Sequence, residues 1–181
     1  MPVGGGWDLP PGAEPWSDFH WFGPSTKADL VLVILSHEPN WYTGHYVEKR
    51  MTPCPGEGCE ECHRGTGGQI RYVFGVADRV TRRCGLIEFG RSNGLLIREW
   101  AERNAGLHGL MIDVTKHSKN VQSRTVVTEV REAPPAWIYT IDPPDVCLAL
   151  FLTWQKGNFR MPREFAEEMS RRSLRRQPAL G

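Results

Sequence analysis

The segment from His45 to Cys62 constrains this chain more than any other, because it gathers one histidine and three cysteines in Gly- and Pro-rich sequence. The cysteines are Cys54, Cys59 and Cys62, and the last two form a Cys-x2-Cys pair. Thiolate and imidazole are ligands that Zn²⁺ prefers, and a Cys-x2-Cys turn lets two sulfur atoms approach one ion. The glycines and prolines favour the tight, non-helical backbone that such a turn needs. The segment therefore predicts a zinc site rather than three free thiols.

The fourth ligand of this site stays open on sequence grounds. His45 lies upstream of the three cysteines and would complete a Cys3His set. His63 directly follows a ligand, and neighbouring side chains in extended backbone point apart. Cys84, in a predicted strand, and His37, farther upstream, could also supply the ligand. We place His45 first. Four protein ligands would leave no coordination position for water, so we expect a structural zinc.

Length and composition predict one compact domain with tails. The chain has 181 residues, of which 40% are hydrophobic and 24% are charged, so it can bury a sizeable core. No apolar stretch approaches the roughly 20 residues of a membrane span, and the N-terminus does not read as a signal peptide. Five cysteines with three clustered fit a reducing compartment better than a disulfide framework. We therefore expect a cytoplasmic protein with no membrane partner.

Positive charge is concentrated in the middle of the chain. Residues 1–63 carry 3 Lys and Arg against 9 Asp and Glu, whereas residues 64–131 carry 12 against 6. A mixed, solvated surface is the ordinary explanation for such a balance. A basic excess within one run of strands is also typical of a nucleic-acid groove.

Five β-rich segments and one helix dominate the pattern between residues 29 and 131. The predicted strands cover residues 30–35, 70–77, 84–89, 109–115 and 124–130. The predicted helix covers Asn93 to Asn104, with Ser92 or Asn93 as its cap. Five strands with a helix between the third and fourth is the order of the OB-fold, a small Greek-key barrel. We predict a mainly β protein: an OB-fold five-stranded barrel with an inserted zinc-binding loop at 45–67.

The two ends of the chain lie outside the predicted barrel. Residues 1–28 are rich in Gly, Pro and Trp and predict an irregular N-terminal arm. Residues 132–181 predict a C-terminal helical appendage that packs on the barrel, with Pro144 and Asp145 at the start of a short helix. Residues 164–176 also predict a helix, which ends in a basic tail. Such a tail is usually solvated, with contact to nucleic acid or a partner protein as the alternative.

The ligand order and the strands resemble one known family. The sequence runs through Trp-Tyr-x-Gly-His45-Tyr, then Cys54-Pro-Gly-x-Gly-Cys59-x-x-Cys62, then the strands from Arg71 to Val114. This succession is similar to zinc-containing single-stranded DNA-binding proteins of phages and mobile elements, over about residues 29 to 131. The resemblance implies an OB-fold and non-sequence-specific binding of single-stranded DNA in replication or recombination, in a bacterial cell or phage-infected host. The chain differs at its ends, where an acidic N-terminal region and a basic C-terminus reverse the usual pattern of the phage proteins.

Binding of single strands needs cations for the phosphates and aromatic rings for the bases, and the sequence interleaves both. Each aromatic taken alone is more often a core residue, and each cation is more often solvated. Trp41 stands in an Asn-Trp-Tyr-Thr-Gly context that predicts an exposed loop. The candidate nucleic-acid contacts are Trp41, Tyr42, Tyr46, Lys49, Arg50, Arg71, Tyr72, Phe74, Arg82, Arg83, Arg91, Lys116, Lys119 and Arg124.

Two further classes of function stay open. RNA is an alternative ligand, and the chain is alternatively a zinc-stabilised interaction module that docks on replication, recombination or other nucleoprotein-complex proteins. We do not expect an enzyme. The sequence has no paired carboxylates at metal-binding spacing, no Gly-rich phosphate loop and no nucleophile with its base that rises above background.

Overall fold

One mixed β-sheet forms the centre of the computed structural model, which describes residues 20–24, 30–48, 50–104, 106–116, 124–157, 159–161, 163 and 165–169. The strands are β1 Trp21–Phe22, β2 Leu30–Ile34, β3 Asn40–Val47, β4 Arg50–Pro53, β5 Gln69–Asp78, β6 Cys84–Gly90, β7 Met111–Lys116 and β8 Thr125–Val130. The helices are α1 Glu60–His63, α2 Arg91–Arg103 and α3 Val146–Lys156, with a 3-10 helix at Ala136–Thr140. The described part of the chain is therefore mainly β with a few helices.

Strand β5 organises the sheet, because β2, β3 and β6 pair with it directly and β1, β4 and β7 each pair with one of those strands. β2 and β3 pair in succession with the two halves of β5, with Ile34 opposite Val76 and Asn40 opposite Val73. β6 pairs along the other edge of β5. On the far side, β7 pairs with β2 and β8 pairs with β7. The strands predicted from the sequence are all present, but β1, β3 and β4 were not predicted.

The predicted closed barrel is not confirmed, because no pairing among the described residues joins β8 to β6. β1 lies along the free edge of β6 instead, in parallel, with Trp21 opposite Leu86. The N–H of Leu86 donates to the carbonyl oxygen of His20 at 2.8 Å. Gly85 permits this approach, because a Cβ there would clash with the same carbonyl. β1 therefore occupies the edge of β6 with which β8 would have to pair to close the barrel.

The inner face of the sheet packs on α2. Phe74, Ile87 and Ile112 from the strands meet Ile97 and Trp100 from the helix, and all five are buried. The predicted helix is confirmed, but it begins two residues earlier than predicted. Its cap is the backbone of Gly90, so neither Ser92 nor Asn93 caps it. The reason is that β6 runs directly into the helix and leaves no residue for a connecting loop.

The Asn93 side chain has a tertiary role instead of a capping role. Its Nδ2 donates to the backbone carbonyl of Thr125 at 3.2 Å, at the beginning of β8. The first turn of α2 is therefore fixed beside the start of β8. This contact places elements together that are more than thirty residues apart in the chain.

The outer face of the sheet is covered by the C-terminal appendage, as the sequence predicted. Ile138 of the 3-10 helix packs on β2 and β7. Leu150 and Trp154 of α3 pack on Val73 and Leu86. The α3 helix begins where predicted, because its cap is Asp145, whose carboxylate accepts the N–H of Leu148 at 3.0 Å. Both faces of the sheet are thus buried.

Parts of two predicted segments fall outside the described residues. Of the N-terminal arm 1–28, only residues 20–24 are described, and they supply β1. Of the predicted helix over 164–176, residues 165–169 are helical. The basic tail lies outside the described residues, and its role stays a prediction.

Replacing Gly75 tests how tightly the C-terminal appendage docks. A Cβ at Gly75 would lie 2.5 Å from Cγ of Pro144, so Gly75→Ala must push the appendage from the sheet. We expect a loss of about 1–3 kcal/mol in the free energy of unfolding, measured by urea titration. Gly67→Ala is the control, because no atom lies within 4 Å of its added Cβ. Equal stability of the two variants would show that the appendage does not dock at Gly75.

Candidate metal centre and adjoining surface

A β-hairpin and a short helix bring the four predicted ligands together. His45 lies on β3 opposite Thr52 of β4, and only 1% of it is exposed. Cys54 directly follows β4, Cys59 is the cap residue of α1, and Cys62 lies within that helix. The intervening turn contains glycines at 56 and 58 with φ of 82° and 70°, the left-handed region that glycine adopts without strain.

The ligand atoms of His45, Cys54, Cys59 and Cys62 lie within 4.8 Å of one another and could hold a metal ion. Nε2 of His45 is 3.5 Å from Sγ of Cys59 and 3.4 Å from Sγ of Cys62. The sulfur atoms of Cys54 and Cys62 are 3.7 Å apart. The sequence prediction that these four residues form one cluster is therefore met by the geometry.

The spacing of these atoms fits tetrahedral zinc. With Zn–S of about 2.3 Å and Zn–N of about 2.0–2.1 Å, a tetrahedron places two sulfurs about 3.8 Å apart and a sulfur about 3.5 Å from a nitrogen. The three distances above lie close to these values. A hard, oxygen-preferring ion such as Mg²⁺ or Ca²⁺ would not be held by three thiols and an imidazole. The donor set is thus compatible with structural zinc.

The three remaining candidates for the fourth ligand lie outside this cluster. Sγ of Cys84 contacts the carbonyl oxygen of Arg82, and burial raises the pKa of the Cys84 thiol. The ring of His37 stacks on His108, with 4.7 Å between centroids. His63 ends α1 with an exposed side chain. His45 remains because its strand crosses directly beneath the cysteine turn.

Hydrogen bonds shift the pKa values of two thiols of the cluster in opposite directions. Burial would raise the pKa of Cys59, but hydrogen bonds from the backbone of Cys62 and from the thiols of Cys54 and Cys62 lower it overall. The hydrogen bond with Cys54, followed by burial, raises the pKa of Cys62 to about 11. The pKa of Cys59 is thus lowered and that of Cys62 is raised within one hydrogen-bonded cluster. A bound divalent cation would supply the charge that stabilises the remaining thiolates.

Substitution of the ligands tests the metal centre. We expect Cys59→Ser and His45→Ala to lose zinc, measured by elemental analysis of the purified protein. Because bound metal contributes to folding, stability should fall by on the order of 4 kcal/mol, or about 10 °C in Tm. The matched controls are Cys84→Ser and His63→Ala, which should keep zinc. Full zinc occupancy in Cys59→Ser would contradict the predicted site. Full occupancy in His45→Ala would show that another residue is the fourth ligand.

The exposed aromatic side chains on β3 lie close to this cluster. Trp41 is 63% exposed and Tyr46 is 53% exposed. Trp41 lies on the strand β3, so the predicted loop around it is wrong. The reason is that β3 is held by β5, which places Trp41 directly opposite Tyr72. Tyr72 is partly buried because its ring packs on Gly94 of α2, where a Cβ would clash with the ring.

Three predicted nucleic-acid contacts are engaged inside the protein. Phe74 is 1% exposed in the inner core. Tyr42 is 7% exposed, and its hydroxyl donates to Glu88 at 2.6 Å. Burial and the Glu88 carboxylate raise the pKa of Tyr42, so its hydroxyl remains protonated. Arg71 donates to the same carboxylate at 2.7 Å. Alternation along the strands could not reveal the contacts of Tyr42 and Arg71, because α3, which is distant in the sequence, covers the outer face.

Most of the basic side chains predicted to contact nucleic acid lack an ion-pair partner among the described residues, whereas seven arginines have one. Seven arginines form ion pairs with glutamates in the described residues: Arg64, Arg71, Arg79, Arg98, Arg103, Arg131 and Arg163. The predicted contacts that have no ion-pair partner within the described ranges are Arg50, Arg82, Arg83, Arg91, Lys116 and Arg124. Lys49 and Lys119 lie outside the described residues. Of the predicted basic contacts that the structure describes, all except Arg71 are therefore without an ion-pair partner.

The first turn of α2 gathers Trp41 with several of these cations. Gly94 in this turn contacts Tyr72, which pairs with Trp41. Asn93 in the same turn is bonded to Thr125, whose chain neighbour is Arg124 and whose cross-strand partner is Lys116. Arg91 begins the helix and is exposed. We call Trp41, Tyr72, Arg91, Lys116 and Arg124 the α2-start surface.

A cleft of about 330 Å³ opens beside this surface, between the end of the zinc loop at Gly68 and the start of α2 at Arg91. A larger cleft of about 640 Å³ lies near the other end of α2, by Arg103 and Glu129. Its arginines are neutralised by Glu129, which contacts both Arg103 and Arg131. The smaller cleft is instead lined by Arg91, which has no ion-pair partner among the described residues.

Comparisons with protein-family models, with curated proteins and with solved structures each found no match to this chain. The resemblance to zinc-containing single-stranded DNA-binding proteins therefore stays a prediction from the sequence. Among the described residues, no helix is both long enough and apolar enough to cross a membrane.

Proposed function

We propose that this protein binds single-stranded DNA without sequence preference, with a structural zinc that holds its β3–β4 hairpin. The observation that carries the proposal is the α2-start surface. It joins an exposed tryptophan to three cations that no acidic side chain of the described residues neutralises.

The strand order supports an OB-fold as the scaffold for this function. If β2 and β3 count as one bent strand, the sheet runs third, second, first, fourth, fifth, and the helix lies between the third and fourth strands. This is the order of an OB barrel, which is often only partly closed. In the proposal, β1 replaces the pairing between the third and fifth strands. The zinc loop then connects the first strand to the second.

The chemistry of Trp41 suits single strands. Its indole ring is exposed, and a base can stack on it only when the base is released from a duplex. Such stacking accepts any base, because every base has a flat π-face. Arg91, Lys116 and Arg124 would contact phosphates, which position the strand without reading its sequence. This combination favours single-stranded over duplex DNA.

The covered outer face favours a site away from the middle of the sheet. α3 packs over Val73 and Leu86, and the Arg71–Glu88 ion pair lies beneath the same cover. A nucleic acid on this face would have to displace the helix. The α2-start surface requires no displacement, because Trp41 and Arg91 are exposed already.

Substitution of Trp41 tests the stacking contact. Trp41→Ala should weaken binding of a labelled oligo-dT by about 1–3 kcal/mol, which is about 5- to 150-fold, in a fluorescence-anisotropy titration. Tyr139→Ala is the control, because Tyr139 is 67% exposed but lies on the 3-10 helix. Duplex DNA that binds as tightly as the single strand would exclude the proposal. RNA in parallel titrations decides between the two nucleic acids.

Salt dependence tests the phosphate contacts. Arg91→Ala should make the slope of log K against log salt shallower by roughly 0.7, because one counterion-releasing contact is lost. Arg98→Ala is the control on the same helix, since Arg98 is paired with Glu102 at 3.5 Å. Affinity that does not change with salt would favour the alternative, a zinc-stabilised module that docks on proteins of a nucleoprotein assembly.

A further inference from the structure

The turn between β5 and β6 carries a second group of cations, far from Trp41. We propose that Arg82 and Arg83 on this turn form a second anchoring site for the phosphates of the same single strand. This inference rests on the proposed function, and it adds a length requirement to it. A single-stranded oligonucleotide that is long enough to reach both sites binds through both, whereas a shorter oligonucleotide binds through the α2-start surface alone.

The turn is built as a rigid support for these cations. The Asp78 carboxylate accepts the backbone N–H groups of Val80 and Thr81 at 2.8 and 2.7 Å. The N–H of Arg82 donates to the carbonyl oxygen of Asp78 at 2.9 Å, and Arg82 has a φ of 59°. This left-handed conformation is uncommon for a residue other than glycine. The backbone therefore projects two adjacent arginines from a fixed position.

Neither Arg82 nor Arg83 forms an ion pair with a carboxylate of the described residues. Arg82 lies over the ring of Trp137, 5.8 Å from its centroid, and this contact leaves its charge intact. Arg83 is exposed and has no carboxylate partner within the described residues. Its field reaches His20, because burial and then the Arg83 charge lower the pKa of that imidazole. By contrast, the neighbouring Arg79 is paired with Glu132 at 2.6 Å.

The straight line between the two sites spans about six stacked nucleotides. Tyr72 and Asp78 mark the two ends, six residues apart on β5, which is about 20 Å at the rise of a strand. A stacked single strand advances about 3.4 Å per nucleotide, so about six nucleotides span this straight-line distance, and a route around β5 needs more.

The structure also defines the route between the two sites. The single-stranded DNA cannot run along β5, because Val73 and Val76 are fully buried and Pro144 covers Gly75. Lys116 and Arg124 offer exposed or partly exposed charge away from β5.

Within the α2-start surface, these two cations lie on the side towards the β5–β6 turn. Thr125 joins them to the first turn of α2 through Asn93. β7, which ends in Lys116, pairs with β2, and the carbonyl of Val31 on β2 accepts the N–H of Arg79 at the base of the turn. The proposed route therefore runs from Trp41 past the β7–β8 end to the β5–β6 turn.

The test compares short and long oligonucleotides on the full chain. The variant is Arg82→Asn with Arg83→Ala, because asparagine tolerates the left-handed conformation and removes the charge without added strain. We expect about tenfold weaker binding of dT12, with a salt slope shallower by roughly 1.4 for two lost phosphate contacts. Binding of dT3 should change by less than about twofold, because dT3 is too short to reach both sites.

The control is Arg98→Ala with Arg163→Ala, which changes the net charge equally but removes only cations that are paired with glutamates. Its binding of dT12 should match that of the unaltered chain. Arg83→Ala alone serves as a second variant if the double variant unfolds, and it should show about half of the change in slope.

The outcomes separate this inference from the proposed function. If the unaltered chain binds neither dT3 nor dT12, the proposed function fails and the inference fails with it. If the unaltered chain binds dT12 but the variant weakens dT3 and dT12 equally, or weakens neither, only the second site is overturned. An acidic protein that binds the turn while dT12 affinity is unaffected would likewise overturn it.

Discussion

Burial of β5 on both of its faces governs the rest of this structure, because each face must be covered by a different part of the chain. Phe74 and Val76 face the core that α2 closes, while Val73 faces α3. Close contacts at Gly94 with Tyr72 and at Gly75 with Pro144 fix the two covering elements. The faces of the sheet at β5 are therefore covered, and exposed side chains lie mainly at its ends and turns.

The metal cluster and the exposed tryptophan share one strand, which links their positions. Trp41 and His45 lie four residues apart on β3, so their side chains point to the same side of the strand. His45 is fixed by the cysteine cluster at one end, and Trp41 is fixed by its pairing with Tyr72. A zinc ion at His45 would hold the hairpin that begins beyond Trp41. Nε2 of His45 faces the sulfur atoms of Cys59 and Cys62, while its buried Nδ1 has no hydrogen-bond partner among the described residues.

Ion pairing divides the basic residues into two groups with different roles. Arginines around α2 and β8, such as Arg98, Arg103 and Arg131, are paired with glutamates and contribute little to an external field. Those at the start of α2 and on the β5–β6 turn are unpaired within the part of the chain that the structure describes. The excess of positive charge in the middle of the sequence is thus resolved into two local patches. This division supports binding at two points of one polyanion rather than over a uniformly basic face.

Local sequence chemistry determined the metal cluster and most of the elements. The spacing of the cysteines, the alternation around Phe74 and the apolar periodicity of α2 depend on residues close in the chain, so the pattern alone reveals them. Asp145 likewise identified the start of α3. Only the tertiary structure decided that His45 completes the cluster, because a hairpin with the unpredicted strand β4 brings its ring beneath the cysteines.

Long-range contacts also decided which predicted contacts are available to a ligand. Tyr42, Arg71 and Phe74 carry the right chemistry, but Tyr42 and Phe74 are buried and Arg71 is paired with Glu88. No local pattern encodes which face a distant helix will cover. A long-range contact also explains why the sheet does not close into a barrel. β1, from the N-terminal part of the chain, pairs with the edge of β6. Residue types set the chemistry available to this protein, and pairing between distant strands selected which of those residues reach solvent.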